Sequence, residues 1–157
     1  MNKARIYLSS TFEDLKDYRA KVSEWLRRAG YEIISQEDYI ALDPYPLQKC
    51  LAEVASCDLY VGILARRYGY IPQQDNPQEL SITELEYLQA TQSGLPRLVF
   101  QLDPDVPWPA QFDDRVTESG DLGANIRRFR LQVAQEQGVG LFSTPDELAS
   151  RVLQAVV

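Results

Sequence analysis

The feature that most constrains the fold is a short, almost wholly apolar segment near the middle of the chain, LYVGIL at residues 59–64. A strand that is covered by helices on both faces of a parallel sheet has no polar side, so its sequence does not alternate between apolar and polar residues. The segment is therefore predicted to be a central strand of a parallel sheet with helices packed on both faces.

Predicted strands and amphipathic helices alternate on either side of this segment. The predicted strands are Ala4–Leu8, Tyr31–Ser35, Leu59–Leu64, Arg97–Leu102 and Val139–Phe142. A helix of ten or more residues between successive strands implies a parallel sheet with right-handed crossovers. We predict one α/β domain over residues 1–157, a flavodoxin-like three-layer sandwich with a five-stranded parallel sheet in the order 2-1-3-4-5.

Helix starts are predicted from pairs of residues that have the spacing of a capping box. The pairs are Thr11 with Asp14, Ser81 with Glu84, and Thr144 with Glu147. In such a box the hydroxyl caps an amide of the first turn, and the longer side chain bonds back to the amide of the capping residue. The Pro- and Asp-rich segment 103–120 is predicted to be an exposed loop, and residues 36–46 an irregular connection.

Charge and composition exclude several functions. The net charge of -7 disfavours binding to duplex nucleic acid or to an anionic membrane surface, because a protein needs clustered Lys and Arg side chains to bind either of them. The chain has no histidine, which removes Ser-His-Asp triads, Cys-His dyads and His-ligated zinc, and no metal site is predicted. Cys50 and Cys57 lie about two turns apart in one predicted helix, too far for a disulfide, so buried thiols in a reducing compartment are predicted. The sequence shows neither a signal peptide nor a membrane-spanning run, so a cytoplasmic location is expected.

Functional residues are expected at the carboxyl edge of the sheet, in the crevice beyond the first and third strands where the strand order reverses. The residues predicted to lie there carry hydroxyl, guanidinium, phenol and carboxylate groups. The candidate ligand-binding residues are Ser9, Ser10 and Thr11 after the first strand, and Arg66, Arg67, Tyr68 and Gly69 after the third. The candidate catalytic residue is Glu84, at the start of the next helix.

The candidate ligand-binding residues have two interpretations. The hydroxyls and the first amides of the helix could receive a phosphate or a ribose; alternatively, Thr11 caps the helix and the serines hold the turn. The chain contains neither a GxGxxG nor a Walker A phosphate loop. Arg66 and Arg67 could bind a pyrophosphate, or could pair with acidic groups such as Asp58.

Glu84 is likewise open to two interpretations. A carboxylate in this crevice can hold a ribose hydroxyl, stabilise an oxocarbenium-like centre or attack as a nucleophile. The same carboxylate completes the capping box with Ser81 and needs no catalytic role. Glu86 follows two residues later, about 200° around the helix, so the two carboxylates are not expected to act as a pair.

Several motifs occur together and in order along the chain. They are Ile6-Tyr-Leu-Ser-Ser-Thr-Phe-Glu-Asp-Leu15, Cys57-Asp58-Leu-Tyr-Val-Gly62, Arg67-Tyr68-Gly69-Tyr70 and Ser81-Ile-Thr-Glu84-Leu-Glu86-Tyr87. These strings resemble the family called domain of unknown function 4062. The resemblance implies a fold similar to TIR domains and to nucleoside deoxyribosyltransferases. It also implies an N-terminal module ahead of a STAND- or NACHT-type ATPase, in proteins many of which are innate-immune or antiphage sensors.

The resemblance leaves two functions to compare. The first, which we adopt as the prediction, is a signalling module that acts by self-association or by docking to other domains of its parent protein. The alternative is cleavage of an N-glycosidic bond at Glu84, with NAD as the candidate substrate as in enzymatic TIR domains, or with nucleosides as in deoxyribosyltransferases. In the transferases a glycine stands where this chain has Glu86. No cofactor is predicted with certainty.

Overall fold

A computed structural model of the chain describes residues 3–35, 46–117 and 120–157. Five parallel strands form one sheet: β1 (Arg5–Ser9), β2 (Glu32–Ser35), β3 (Leu59–Leu64), β4 (Arg97–Leu102) and β5 (Gly140–Phe142). Their order is β2-β1-β3-β4-β5, so the predicted doubly wound topology is confirmed. The irregular connection predicted at residues 36–46 lies, apart from Pro46, outside the described residues.

Helices cover both faces of this sheet. In the described ranges they are α1 (Lys16–Arg28), α2 (Leu47–Ser56), α3 (Ile82–Gln92), α4 (Asp114–Thr117), α5 (Leu122–Glu136) and α6 (Pro145–Val156). Buried side chains of α1 and α6 form one apolar core with the sheet, and those of α2, α3 and α5 form a second core. The molecule is therefore a three-layer α/β sandwich.

β3 occupies the centre of the sheet, and its packing explains the apolar run in the sequence. Val61 and Ile63 belong to the core beneath α1 and α6, whereas Tyr60 and Leu64 belong to the core beneath α2, α3 and α5. All four side chains are at most 3% exposed. Because both faces of the strand are buried, it has no position for a solvent-exposed polar side chain.

The start of α1 differs from the prediction. The helix begins at Lys16 with Leu15 as its N-cap residue, and no side chain caps it. The predicted cap, Thr11, donates its hydroxyl to the carboxylate of Asp14 instead. The capping-box prediction for Thr11 is wrong because the two side chains bond to each other rather than to the helix amides.

The described part of the segment 103–120 contains more regular structure than predicted. It contains a single 3₁₀ turn at Ala110–Phe112 and the short helix α4, and the amide of Asp114 donates to the carbonyl of Arg66 at 2.9 Å. This contact ties the segment to the end of β3. A local pattern of Pro and Asp could not reveal it, because Arg66 lies far away in the sequence.

The two cysteines are free and buried, as predicted. Burial raises the pKa of the Cys57 thiol to about 11, so this thiol is protonated and unreactive at neutral pH. Within the described ranges, we find no helix with the length and apolar character needed to cross a bilayer.

Candidate functional site

The carboxyl ends of β1 and β3 meet the start of α3 around Gly69. The φ angle of Gly69 is +99°, a left-handed conformation that residues with a Cβ rarely adopt. A Cβ at this position would lie 3.0 Å from Cγ2 of Thr11 and 3.6 Å from Oγ1 of Thr83. Glycine is therefore required both by the backbone conformation and by the close approach of these two segments.

Glu84 lies in the first turn of α3 and is 2% exposed. Arg128 of α5 binds its carboxylate through two hydrogen bonds, from Nη2 to Oε1 at 2.7 Å and from Nη1 to Oε2 at 3.0 Å. The hydroxyl of Tyr68 also donates to Oε1. A bidentate bond between a guanidinium and a carboxylate is among the strongest polar contacts in proteins, so the carboxylate is engaged by its own neighbours.

The capping interaction predicted at Ser81 is present in one direction. The Oγ atom of Ser81 accepts a hydrogen bond from the amide of Glu84 at 3.2 Å, as an N-cap residue does. The carboxylate of Glu84 bonds to Arg128 and Tyr68. The backbone of Glu84 thus takes part in a local cap, whereas its side chain has a tertiary role.

Tyr68 connects Glu84 to the loop after β4. Burial, together with the hydrogen bond to Glu84, raises the pKa of Tyr68 to about 12, so its phenol is a donor at neutral pH. Its amide donates to Oδ2 of Asp114 at 2.7 Å, and its ring packs edge-on against Phe129. Tyr68, predicted as a ligand-binding residue, therefore lies beside the predicted catalytic carboxylate.

Glu86 forms a second carboxylate cluster on the same helix and is 0% exposed. Ser9 donates to its Oε1 at 2.7 Å, and both the hydroxyl of Tyr7 and the thiol of Cys50 donate to its Oε2. Burial raises the pKa of Glu86, although these three hydrogen bonds and the charge of Arg19 act in the opposite direction. The predicted ligand-binding residue Ser9 is thus next to Glu86 rather than Glu84.

The other polar residues after β1 hold the turn between β1 and α1. Arg19, which is 1% exposed, donates from Nη1 to Oγ of Ser10 at 2.6 Å and to its carbonyl at 3.2 Å. Arg67 reaches the same turn, where its Nη1 lies 3.8 Å from Oδ1 of Asp14. Burial raises the pKa of Asp14, whereas its hydrogen bond from Thr11 and the charge of Arg67 lower it.

Arg66 has a separate set of contacts. Its Nη2 donates to the carbonyls of Pro104 and Val106, both at 2.9 Å, and its Nη1 lies 3.8 Å from Oδ2 of Asp113. These contacts hold the loop after β4. The structure therefore places seven of the eight predicted site residues in three neighbouring groups: Glu84 with Tyr68, Ser9 beside Glu86, and Ser10, Thr11, Gly69 and Arg67 around the turn. The eighth, Arg66, lies apart from them.

Arg128 and Glu86, which are central to these clusters, were not selected from the sequence. Arg128 lies 44 residues from Glu84, and no spacing rule relates positions so far apart. The sequence position of Glu86, by contrast, could have indicated that its carboxylate is buried. It lies four residues from both Ile82 and Ala90, on the buried stripe of α3, where a carboxylate needs internal partners.

Solved structures share this fold. The CMP N-glycosidase BcmB of Clostridium botulinum is 13% identical with a TM-score of 0.54, over 98% of this chain and 99% of that chain. The TIR domains of the activated Roq1 resistosome, which directly recognises the pathogen effector XopQ, are 9% identical with a TM-score of 0.61, over 99% and 100% of the two chains. Fold and sheet order together define a TIR-like α/β module.

The sequence itself gives the family. Residues 5–157 match the domain of unknown function DUF4062, and the chain belongs to this family. The resemblance indicated by the motifs is confirmed. A curated relative, telomerase protein component 1 of Mus musculus, is 31% identical over 108 residues, which cover 53% of this chain and 4% of that protein. The chain thus spans 4% of the length of the curated relatives that it matches.

Proposed function

We propose that this chain is a signalling module that acts by self-association or by docking within a larger protein. The observation that carries the proposal is that both crevice carboxylates are engaged internally. Glu84 is 2% exposed and bonded to Arg128 and Tyr68, and Glu86 is 0% exposed with three donors. Because their own neighbours occupy these two carboxylates, the geometry of the described residues favours action through the molecular surface.

Two comparisons support the proposal. The fold is shared with the TIR domains of the activated Roq1 resistosome, and the curated relatives are far longer than this chain. On the family resemblance of its motifs, we further propose that the single domain 1–157 is the N-terminal module of a cytoplasmic STAND-type sensor in innate-immune or antiphage defence. Its partners would be other copies of itself or other domains of the same protein.

Self-association is testable by sedimentation velocity over a wide concentration range. We expect the weight-average sedimentation coefficient to rise with concentration. Leu131 on α5 is 60% exposed and is a candidate contact residue. The substitution Leu131→Glu should weaken association roughly tenfold or more, because burying a leucine contributes about 1.5–3 kcal/mol.

The matched control is Gln135→Glu, which adds the same charge to an exposed position of the same helix without removing an apolar group. If only Leu131→Glu weakens association, the apolar side chain of Leu131 is part of the contact between copies. A coefficient that stays at the monomer value at every concentration would contradict self-association.

We also propose N-glycosidic bond cleavage as a second candidate function, because one observation favours it. The side chain of Arg128 is 43% exposed, so a change of its rotamer would uncover the Glu84 carboxylate without movement of the sheet. Tyr68 would remain beside it as a hydrogen-bond donor. A carboxylate so uncovered could stabilise an oxocarbenium-like centre in NAD or in a nucleoside, and the fold is shared with a CMP N-glycosidase.

The test is release of nicotinamide from NAD, and of the base from CMP, by the domain clustered on a multivalent scaffold. If Glu84 is catalytic, Glu84→Gln should lower release roughly 100-fold or more while the domain stays folded. Arg128→Gln is the matched control, because it breaks the same ion pair but keeps the carboxylate. If neither NAD nor CMP is cleaved at any density of domains on the scaffold, the signalling-module function remains as the proposal. If both variants lose activity equally, the pair of Glu84 and Arg128 has a structural role.

A further inference from the structure

A cationic pocket lies at the carboxyl ends of β3 and β4, against α5. Its volume is about 240 Å³, and four guanidinium groups line it, those of Arg66, Arg115, Arg127 and Arg130. The chain as a whole carries a net charge of -7. The pocket therefore concentrates positive charge on a protein whose overall charge is negative.

Backbone carbonyls hold two of the four guanidiniums in place. Arg130 donates from Nη1 to the carbonyl of Ala65 at 2.7 Å and from Nη2 to that of Leu102 at 2.8 Å, so it bridges the ends of β3 and β4. Arg66 donates to the carbonyls of Pro104 and Val106. Carbonyl groups orient these side chains but carry no formal charge to neutralise them.

One carboxylate offsets part of this charge. Asp113 binds Arg115 through two hydrogen bonds, at 3.0 Å and 2.9 Å, and lies 3.8 Å from Arg66. Burial, followed by repulsion from Arg115 and Arg66, lowers the pKa of Arg130 to about 10. Arg130 is still protonated at neutral pH. Among the described residues, Asp113 is the carboxylate that pairs with these guanidiniums, so one negative charge faces four positive ones.

Arg127 has donors that are free to bind a ligand. It is exposed on α5, and it forms no hydrogen bond or ion pair with any residue that the structure describes. Its guanidinium therefore adds charge to the pocket without a protein partner. A ligand could engage it without breaking any existing contact.

We propose that this pocket binds the phosphate or pyrophosphate group of a small phosphorylated ligand. The planar fork of an arginine matches the oxygens of a phosphate and binds them bidentately. The volume is below the about 300–1,000 Å³ of pockets that enclose drug-sized ligands, so the pocket has room for the phosphoryl group rather than for a whole cofactor. The site does not use Glu84 or Glu86, and it stands independently of the proposed function.

The experiment is calorimetric titration of the full chain with pyrophosphate at constant ionic strength. We expect saturable binding at one site. Because it removes a charged hydrogen-bond donor from the pocket, Arg127→Gln should weaken the binding roughly tenfold or more. This variant should fold, since the side chain is exposed and has no partner among the described residues.

The matched control is Arg27→Gln, which removes the same charge from another exposed helical arginine, on α1. Its affinity for pyrophosphate should equal that of the unmodified chain. The absence of saturable binding at millimolar pyrophosphate would overturn the proposal. Unchanged affinity in Arg127→Gln, or equal weakening in both variants, would overturn it as well, because either result would mean that pyrophosphate does not bind in this pocket.

Discussion

Replacing Arg128 with alanine should lower the free energy of unfolding by roughly 2–4 kcal/mol, because the Glu84 carboxylate loses its bidentate counter-ion and water that enters the vacated space replaces only part of that interaction. Breaking a wholly buried pair in this way costs about 3–5 kcal/mol. The expected value is lower here, because the Arg128 side chain is 43% exposed and solvent already screens part of the interaction. Chemical denaturation at neutral pH would measure the difference.

The neighbouring Arg127 provides a matched control for this prediction. It is exposed on the same helix and has no partner among the described residues, so Arg127→Ala should change stability by less than about 0.5 kcal/mol. The double substitution Glu84→Gln with Arg128→Ala should recover part of the loss, because it removes the unpaired charge. Equal effects of Arg127→Ala and Arg128→Ala would show that the pair with Glu84 contributes little to stability.

Replacing Glu86 with alanine should destabilise the domain by roughly 3–5 kcal/mol, because a fully buried group that accepts three hydrogen bonds would be lost. The hydroxyls of Tyr7 and Ser9 would lose their acceptor in the interior, and the missing side-chain atoms would leave a cavity. Thermal or urea unfolding measures this loss. A loss within about 0.5 kcal/mol, as for an ordinary surface position, would contradict the role of the cluster.

The substitution Glu86→Gln isolates the contribution of the charge. Because burial raises the pKa of Glu86 above its ordinary value of 4.5, the folded state keeps this proton at pH values where the unfolded chain has lost it. The stability linked to that proton is present below about pH 4.5 and is lost as the pH rises towards the folded pKa. The unmodified chain should therefore lose stability relative to Glu86→Gln between about pH 4.5 and neutrality.

A stability difference between the two proteins that stays constant over this pH range would contradict the raised pKa. Asp14 also has a pKa raised by burial, so it contributes its own pH dependence. That contribution is common to both proteins and cancels in the comparison. The control therefore lies in the comparison itself, and no separate substitution at Asp14 is needed.

Much of the fold could be predicted because the signals for it are local and repeated. The apolar run of β3 and the helix after each strand are sufficient to predict a parallel sheet, and right-handed crossovers then limit the orders that the strands can take. The strands at residues 59–64 and 97–102 have the predicted bounds. The predicted order of the five strands is confirmed.

Predictions of individual contacts were less successful, since a polar group can bond to any of several partners. Thr11 has the spacing of a helix cap, yet its hydroxyl donates to Asp14 while α1 starts later. The segment 103–120 reads as a loop, yet the contact between Arg66 and Asp114 accompanies a short helix there. In both cases the partner that is chosen depends on how the elements pack, which local spacing does not specify.

The sequence by itself determined the α/β class, the sheet order, the family and the region where polar residues gather. Only the tertiary structure decided which of those residues meet. It pairs Glu84 with Arg128, 44 residues away, and Ser9 with Glu86, 77 residues away. The physical reason is that patterns of capping and periodicity act within a few residues, whereas contacts between elements depend on how whole helices pack against the sheet.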